Sequence, residues 1–207
     1  MIAAGLALFG SWVLWSETRT WIPVDMPVSL SIGQMRTPEF KTNLKAIYMI
    51  QIEVMKKEPV DRLTCLLGLE DTNSGKCEST RSVVDASWIL WSRGTVVARG
   101  SSSEDKSGAW MNAKIARQIG SFASEKGRQY ILDLNVLADG SSLAAANPRL
   151  KVGVHPSAYE NNAFVGIRNM LVATVFVLVG AIMLIASVLR ERRRQKKVAR
   201  APGWRRP

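Results

Sequence analysis

Between Met170 and Leu189 the chain runs for twenty residues without a charge, MLVATVFVLVGAIMLIASVL, and then turns abruptly basic. At about 1.5 Å of rise per residue such a run spans roughly 30 Å, the thickness of a bilayer's hydrocarbon core. No water reaches backbone groups inside that layer, so a single crossing segment has to be helical. Its polar side chains, Thr174 and Ser187, carry hydroxyls that can bond back to the preceding turn. A buried helix of a soluble domain is the competing reading, and it sits poorly with so long an uncharged run.

The net charge of +11 suggests nucleic acid until it is located. Arg190 to Pro207 holds nine Lys/Arg against Glu191 alone, so +8 of the +11 lies in that tail and the other 189 residues balance at +3. The cluster Arg190, Arg192, Arg193, Arg194, Lys196 and Lys197 is what a cytoplasmic membrane flank requires. It also attracts anionic headgroups, at about 1 kcal/mol per residue near the surface. This topological reading accounts for the charge, so no nucleic-acid partner is expected; membrane lipids are.

A second apolar run opens the chain, Met1 to Trp15 (MIAAGLALFGSWVLW). It is short for a full span, at roughly 22 Å as a helix, and Trp12, Trp15 and Trp21 suit a membrane–water boundary. A cleaved signal peptide wants Lys or Arg before the apolar run and a small-residue cleavage site. Neither is there, which favours an uncleaved anchor over 1–18. With the basic tail over 190–207 in the cytoplasm and a second span over 163–189, both termini are cytoplasmic. Residues 21–159 then face outward as one domain, and the setting expected is a cell inner (plasma) membrane with a periplasmic domain.

That middle region reads as strands. Pro23 and Pro27 favour extended edge structure over helix, and Val28, Leu30 and Ile32 alternate with serines until Gly33. Leu44 to Met55 gives the clearest strand, with Leu44, Tyr48, Ile50, Ile52 and Val54 on one face. A short strand is expected at Leu63 to Leu67, then a polar loop from Glu70 to Lys76. Ser82 to Leu90 alternates as a strand and Ser92-Arg93-Gly94-Thr95 as a hairpin turn. Trp88 and Trp91 then face opposite ways, one in the core and the other at an edge or under a loop. Gly100 to Gly108 lacks any apolar residue and predicts an exposed loop. Met111, Ile115, Ile119 and Phe122 have helical spacing, which predicts a short helix or a packed crossover within Trp110–Phe122. Tyr130 to Val136 and Leu150 to Val154 complete the strands. Tyr130, at the start of its strand, has the spacing of the corner tyrosine of immunoglobulin-like sandwiches. The expected class is mainly β: an immunoglobulin-like β-sandwich, extracytoplasmic, flanked by two transmembrane α-helices.

Chemistry is harder to find. Cys65 and Cys77, twelve apart, are the only cysteines; outside the cytoplasm such a pair is most simply a disulfide. A metal site needs more ligands than two thiolates, and the single histidine, His155, is remote in sequence. No metal and no cofactor is expected. His155 singles out no serine or carboxylate as a catalytic partner. Asp133, Asn135 and Asp139 fall on a strand face and a turn rather than in a calcium loop. Ser101 to Ser103 near Lys106 lack the apolar surroundings a Ser–Lys hydrolase needs. These absences point to a non-catalytic protein.

Large aromatics and loops offer a contact surface instead: Trp88, Trp91 and Trp110 with Glu70, Asp71, Glu104 and Asp105. The function expected is a membrane-tethered interaction or accessory protein, with an assembly or protective role and another envelope or membrane protein as partner. The alternative is a membrane-anchored sensor or ligand-binding module for envelope-derived ligands. That alternative predicts a concave apolar pocket with convergent polar groups; contact through an edge or flat patch predicts none.

Overall fold

Residues 2–69, 77, 81–105, 107–111 and 113–199 are described by the computed structural model. They divide into two compact units: Arg19–Tyr159, which holds the β-structure, and the two terminal helical segments. Helix α1 covers Ile2–Glu17 and helix α3 covers Pro156–Ala199.

The strands are β1 (Val24–Pro27), β2 (Gly33–Arg36), β3 (Phe40–Lys41), β4 (Ile47–Met55), β5 (Ala86–Ser92), β6 (Thr95–Ser101), β7 (Gly108–Trp110), β8 (Lys114–Ala123), β9 (Gln129–Val136) and β10 (Arg149–Val154). Between β4 and β5 lies helix α2 (Val60–Leu67), and a 3-10 turn spans Ser141–Ala146. Two antiparallel sheets result. One runs β1-β10-β4-β8-β7, the other β2-β9-β5-β6 with β3 also paired to β9. The first and last strands are neighbours, Val24 opposite Val152, and the Val154 amide donates to the Trp21 carbonyl at 2.9 Å. Both connections out of the β-unit therefore leave it side by side.

One core draws on both sheets. Tyr48, Ile50, Ile52 and Val54 of β4, Leu90 of β5, Ile115 of β8 and Leu132 of β9 are completely buried, as the two-residue period required for all but Ile115. Each such side chain contributes about 1.5–3 kcal/mol relative to exposure. Aromatic rings continue the core, with centroids 5.9 Å apart for Phe40–Tyr130, 5.4 Å for Tyr130–Phe122 and 5.8 Å for Phe122–Tyr48. Trp88 is pinned between the sheets. Its indole N–H donates to the Ile119 carbonyl at 2.8 Å, and Gly100 and Gly120 lie against the ring. A Cβ on Gly120 would fall 2.3 Å from the indole nitrogen, so only hydrogen fits there.

Four local expectations are corrected. Leu63 to Leu67 is helical, not a strand: Leu63 and Leu67 share a helical face as well as an alternating one, and Leu66, on the opposite face in a strand, is buried with them. Pro59 precedes that helix and Gly68, at φ 72°, ends it in the left-handed conformation. The expected helix is not there: Trp110 ends β7, and Lys114 to Phe122 lie in β8. A bulge leaves Ile119 without a counterpart between Gly120 opposite Ile50 and Gln118 opposite Gln51. The three-residue step from Ile119 to Phe122 is that bulge's imprint on the pattern, and it imitates a helix. Val28 to Ile32 is an irregular link rather than a strand, with Val28 and Leu30 buried but Ile32 exposed. Finally, Gly100 to Gly108 is not one solvated loop. Gly100 and Ser101 end β6, Gly108 starts β7, and Ser102 is buried with its amide bonded to Ala86.

The hairpin is as read: Arg93 (φ 51°) and Gly94 (φ 76°) form a two-residue turn with both central residues left-handed. The Tyr130 hydroxyl accepts the Glu125 amide at 3.0 Å. Cys65 and Cys77 stand at disulfide-bonding distance with Cα atoms 5.5 Å apart.

Among the described residues, one helix is long and apolar enough to cross a membrane, Phe164–Arg193 within α3; α1 is apolar but shorter. Helix α3 starts at Pro156, ahead of Ala163, because proline at a first helical position loses no hydrogen bond. The two helices approach closely at Gly5, where a Cβ would lie 2.8 Å from the Ala173 carbonyl oxygen. Thr174 and Ser187 bond back to the carbonyls of Met170 and Leu184 at 2.8 Å each.

Candidate functional site

The outer face of the β2-β9-β5-β6 sheet follows from its alternation. Trp88, Leu90, Leu132 and Leu134 point into the core, so Ser87, Ile89, Trp91, Ile131, Asp133 and Asn135 point out. Cross-strand register sets Arg36 and Ile89 on either side of Asp133, with Arg99 beyond Ile89. At the centre sits a fixed charge cluster. Arg36 donates through Nε and Nη2 to the two oxygens of Asp133 at 2.6 and 2.7 Å, and the Trp91 indole N–H donates to Asp133 Oδ2 at 2.8 Å. Three donors on one carboxylate favour its charged form. The Arg36 hydrogen bond is the main cause holding the Asp133 carboxyl below its ordinary range, and Trp91 adds to it. The same bond raises the Arg36 guanidinium.

Two shallow hollows flank Arg36. One, of about 310 Å³, is floored by Met35, Ile89 and Asp133; the other, of about 270 Å³, by Trp91, Tyr130 and Ile131 with Glu39 and Arg93 at its rim. Rigid aromatic and arginine side chains beside exposed aliphatics make a surface of the kind partners bind.

A larger cleft of about 520 Å³ lies elsewhere, where the link after β1 passes the 3-10 turn. Val28, Leu30, Met55, Ala144 and Pro148 give it apolar walls, and Ser29, Ser31, Ser141 and Arg149 contribute polar groups. Arg149 is held by Asp25, Nε to Oδ1 at 2.6 Å and Nη2 to the backbone carbonyl at 2.9 Å.

Among the described residues, two charged side chains are buried. Glu53 accepts from Lys114 and, at 3.3 Å, from Lys151. Arg117, 3% exposed, donates through Nη1 to the carbonyls of Leu67 (2.6 Å) and Val84 (2.9 Å) and through Nη2 to that of Ser102 (2.8 Å). Burial pushes this guanidinium down, while Asp85 and Asp105 pull it up. It ties α2, the irregular segment leading into β5 and the turn after β6 to one point.

The residues singled out in the sequence do not form one site. Trp88 is core, 4% exposed with its only polar atom bonded inside, so it is not part of a contact surface. Trp91 stands half-buried on the sheet face. Trp110 belongs to β7, and its side chain lies outside the described residues, as do Glu70 and Asp71. Glu104 is exposed; Asp105 instead accepts from Ser107 and Gln118. Arg190, Arg192 and Arg193 are exposed on the last turns of α3, and the side chains of Arg194, Lys196 and Lys197 fall outside the described residues. His155 bonds Ser157 Oγ at 2.8 Å. No group of three or more His, Cys, Asp or Glu able to hold a metal occurs among the described residues. Sequence reading missed Arg36 and Arg117. Alternation had placed Asp133 on an outer face, but the cation meeting it came from a strand 97 residues away.

Fold and surface together define a β-rich, two-sheet antiparallel unit followed by an apolar helix of membrane-spanning length. No protein-family model and no curated protein matches the sequence. Among solved structures, the crystal structure of GEBA250068378 from Sulfurospirillum deleyianum superposes with a TM-score of 0.49 at 13% identity, covering 64% of this chain and 97% of that one.

Proposed function

We propose that this chain is a non-catalytic, membrane-tethered protein that holds its β-unit, an immunoglobulin-like sandwich, against another envelope or membrane protein. In this reading α1 and α3 both span a bacterial-type inner membrane, the termini are cytoplasmic and the β-unit is periplasmic. The observation that carries it is the pairing of β1 with β10. Because Val154 bonds Trp21, the leads to both helices leave from one place, as a domain hung from two adjacent spans requires. The close approach at Gly5 supports two helices that travel together. Tethering confines the domain to a thin layer and raises its effective concentration toward membrane neighbours. The face bearing Trp91, Ile89, Arg36 and Asp133 is the contact surface we assign to it. A non-catalytic role is supported by how the charged groups are used: Asp133, Glu53, Asp25 and Arg117 are each tied into structural hydrogen bonds. The test is crosslinking in intact membranes from a photoreactive residue placed at Ile89. Capture of one envelope protein, lost when Arg36 is reversed to Glu, supports the reading; recovery of this chain and lipid alone refutes it.

The 520 Å³ cleft favours a second reading, a sensor for envelope-derived ligands. Ala144 is exposed at its wall, so Ala144→Trp fills the space without touching the core. Loss of in vivo function from that substitution, with the sheet face intact, would select the sensor over the interaction protein.

A further inference from the structure

Among the described residues, four strand edges have no neighbouring strand: β1 and β7 in one sheet, β2 and β6 in the other. Three of them are blunted. Strand β1 has four residues bracketed by Pro23 and Pro27, β7 has three residues, and β2 has four and ends at the Arg36–Asp133 pair. Short length, proline and charge are the devices that keep an edge from pairing with foreign backbone. Strand β6 has seven residues and no proline, and Thr95-Val96-Val97-Ala98 carries no charge. Val96 and Val97 are 43% and 37% exposed, and neighbouring Ile89 on β5 is 37% exposed. A bulge that leaves Val97 without a counterpart on β5 and the charge of Arg99 near its end are its blunting features.

The charges on the hairpin turn and on β6 itself are both positive, while the exposed Glu104 follows three residues beyond its end. Arg93 in the hairpin turn and Arg99 opposite Ile89 are exposed, and neither forms an ion pair among the described residues. Two unneutralised cations therefore bracket an apolar, unpaired edge. We propose that β6 is a docking edge for an extended segment of a partner protein, apolar in its middle and acidic toward its ends, which adds to the sheet as a further strand. Backbone pairing supplies the general affinity, and Arg93 and Arg99 select the charge pattern. A second copy of this chain is a poorer occupant, since it brings the same arginines and no acid at β6.

The proposal does not require the Trp91 face to be the contact surface, and its test is separate. Full-length protein in lipid nanodiscs is titrated with a synthetic peptide of alternating Thr and Val carrying Glu at both ends, and with the same peptide carrying Lys. Binding of the Glu peptide about fivefold or more tighter than the Lys peptide, growing at lower salt, is expected. Hydrogen exchange at Val96 to Arg99 slows when the Glu peptide binds. The double variant Arg93→Glu/Arg99→Glu, at two exposed positions, reverses the preference; the peptide swap stands alone if that variant does not fold. Equal binding of both peptides, unchanged exchange along β6, or a peptide-free dimer with β6 already protected each overturns the proposal.

Discussion

Two arginines show how differently the interior and the open face of this β-unit are built. Arg117 is enclosed and bonds to three backbone carbonyls from three segments that are distant in sequence. Arg36 lies on the open sheet face and grips one carboxylate, with 64% of its side chain in solvent. Removing the first leaves buried carbonyls without partners, a cost that falls on the folded state directly. Removing the second lets water replace the lost bonds. The same side chain is thus a fastening in one place and a surface feature in the other, and only surroundings decide which.

The contrast sharpens into measurable differences. Arg117→Leu is expected to destabilise by about 3 kcal/mol or more, read as a fall in the denaturation midpoint. A loss no greater than that of Arg36→Ala would break the comparison. Replacing both Cys65 and Cys77 with Ser removes a cross-link over twelve residues next to the Arg117 anchor. On chain-entropy grounds this costs about 3 kcal/mol, and reduction of the wild type should reproduce it. Gly120→Ala drives a methyl into the Trp88 ring and should cost about 1–3 kcal/mol by overpacking. Trp88→Phe in the same chain should recover part of the loss.

The smallest effect belongs to Arg36→Ala, and its signature is in pH rather than size. Asp133 has its folded-state pKa held below the unfolded value, mainly by the Arg36 hydrogen bond. Its contribution is therefore present above the ordinary aspartate range and lost as pH falls through the depressed folded-state value. Wild type and Arg36→Ala should converge in stability at acid pH and separate as pH rises. A gap that stays constant across that range would mean the carboxylate is not what Arg36 stabilises.

Much of the β-unit could be read from the chain because its core strands keep a strict two-residue period. Tyr48 to Val54, Trp88 to Leu90 and Tyr130 to Val136 all bury the residues that the period selects. Reading failed where one spacing serves two geometries. Leu63 and Leu67 are four apart, which suits a helix face and a strand face equally, and the bulge at Ile119 shifted the period mid-strand. The surface was less legible, since Arg36–Asp133–Trp91 joins three strands whose register only the folded sheet determines. Trp88 shows the reverse error: a large aromatic that looked available for binding is fixed between two glycines.

Topology is the claim on which the proposed function depends, and it can be measured in one experiment. Glu104→Cys and Arg192→Cys place thiols at exposed positions on the β-unit and on the basic end of α3. A small membrane-impermeant maleimide that passes the outer membrane is added to intact cells and again after the inner membrane is broken. The account predicts labelling at position 104 in intact cells and at position 192 only after breakage. Labelling of both positions alike, or of 104 only after breakage, would contradict it.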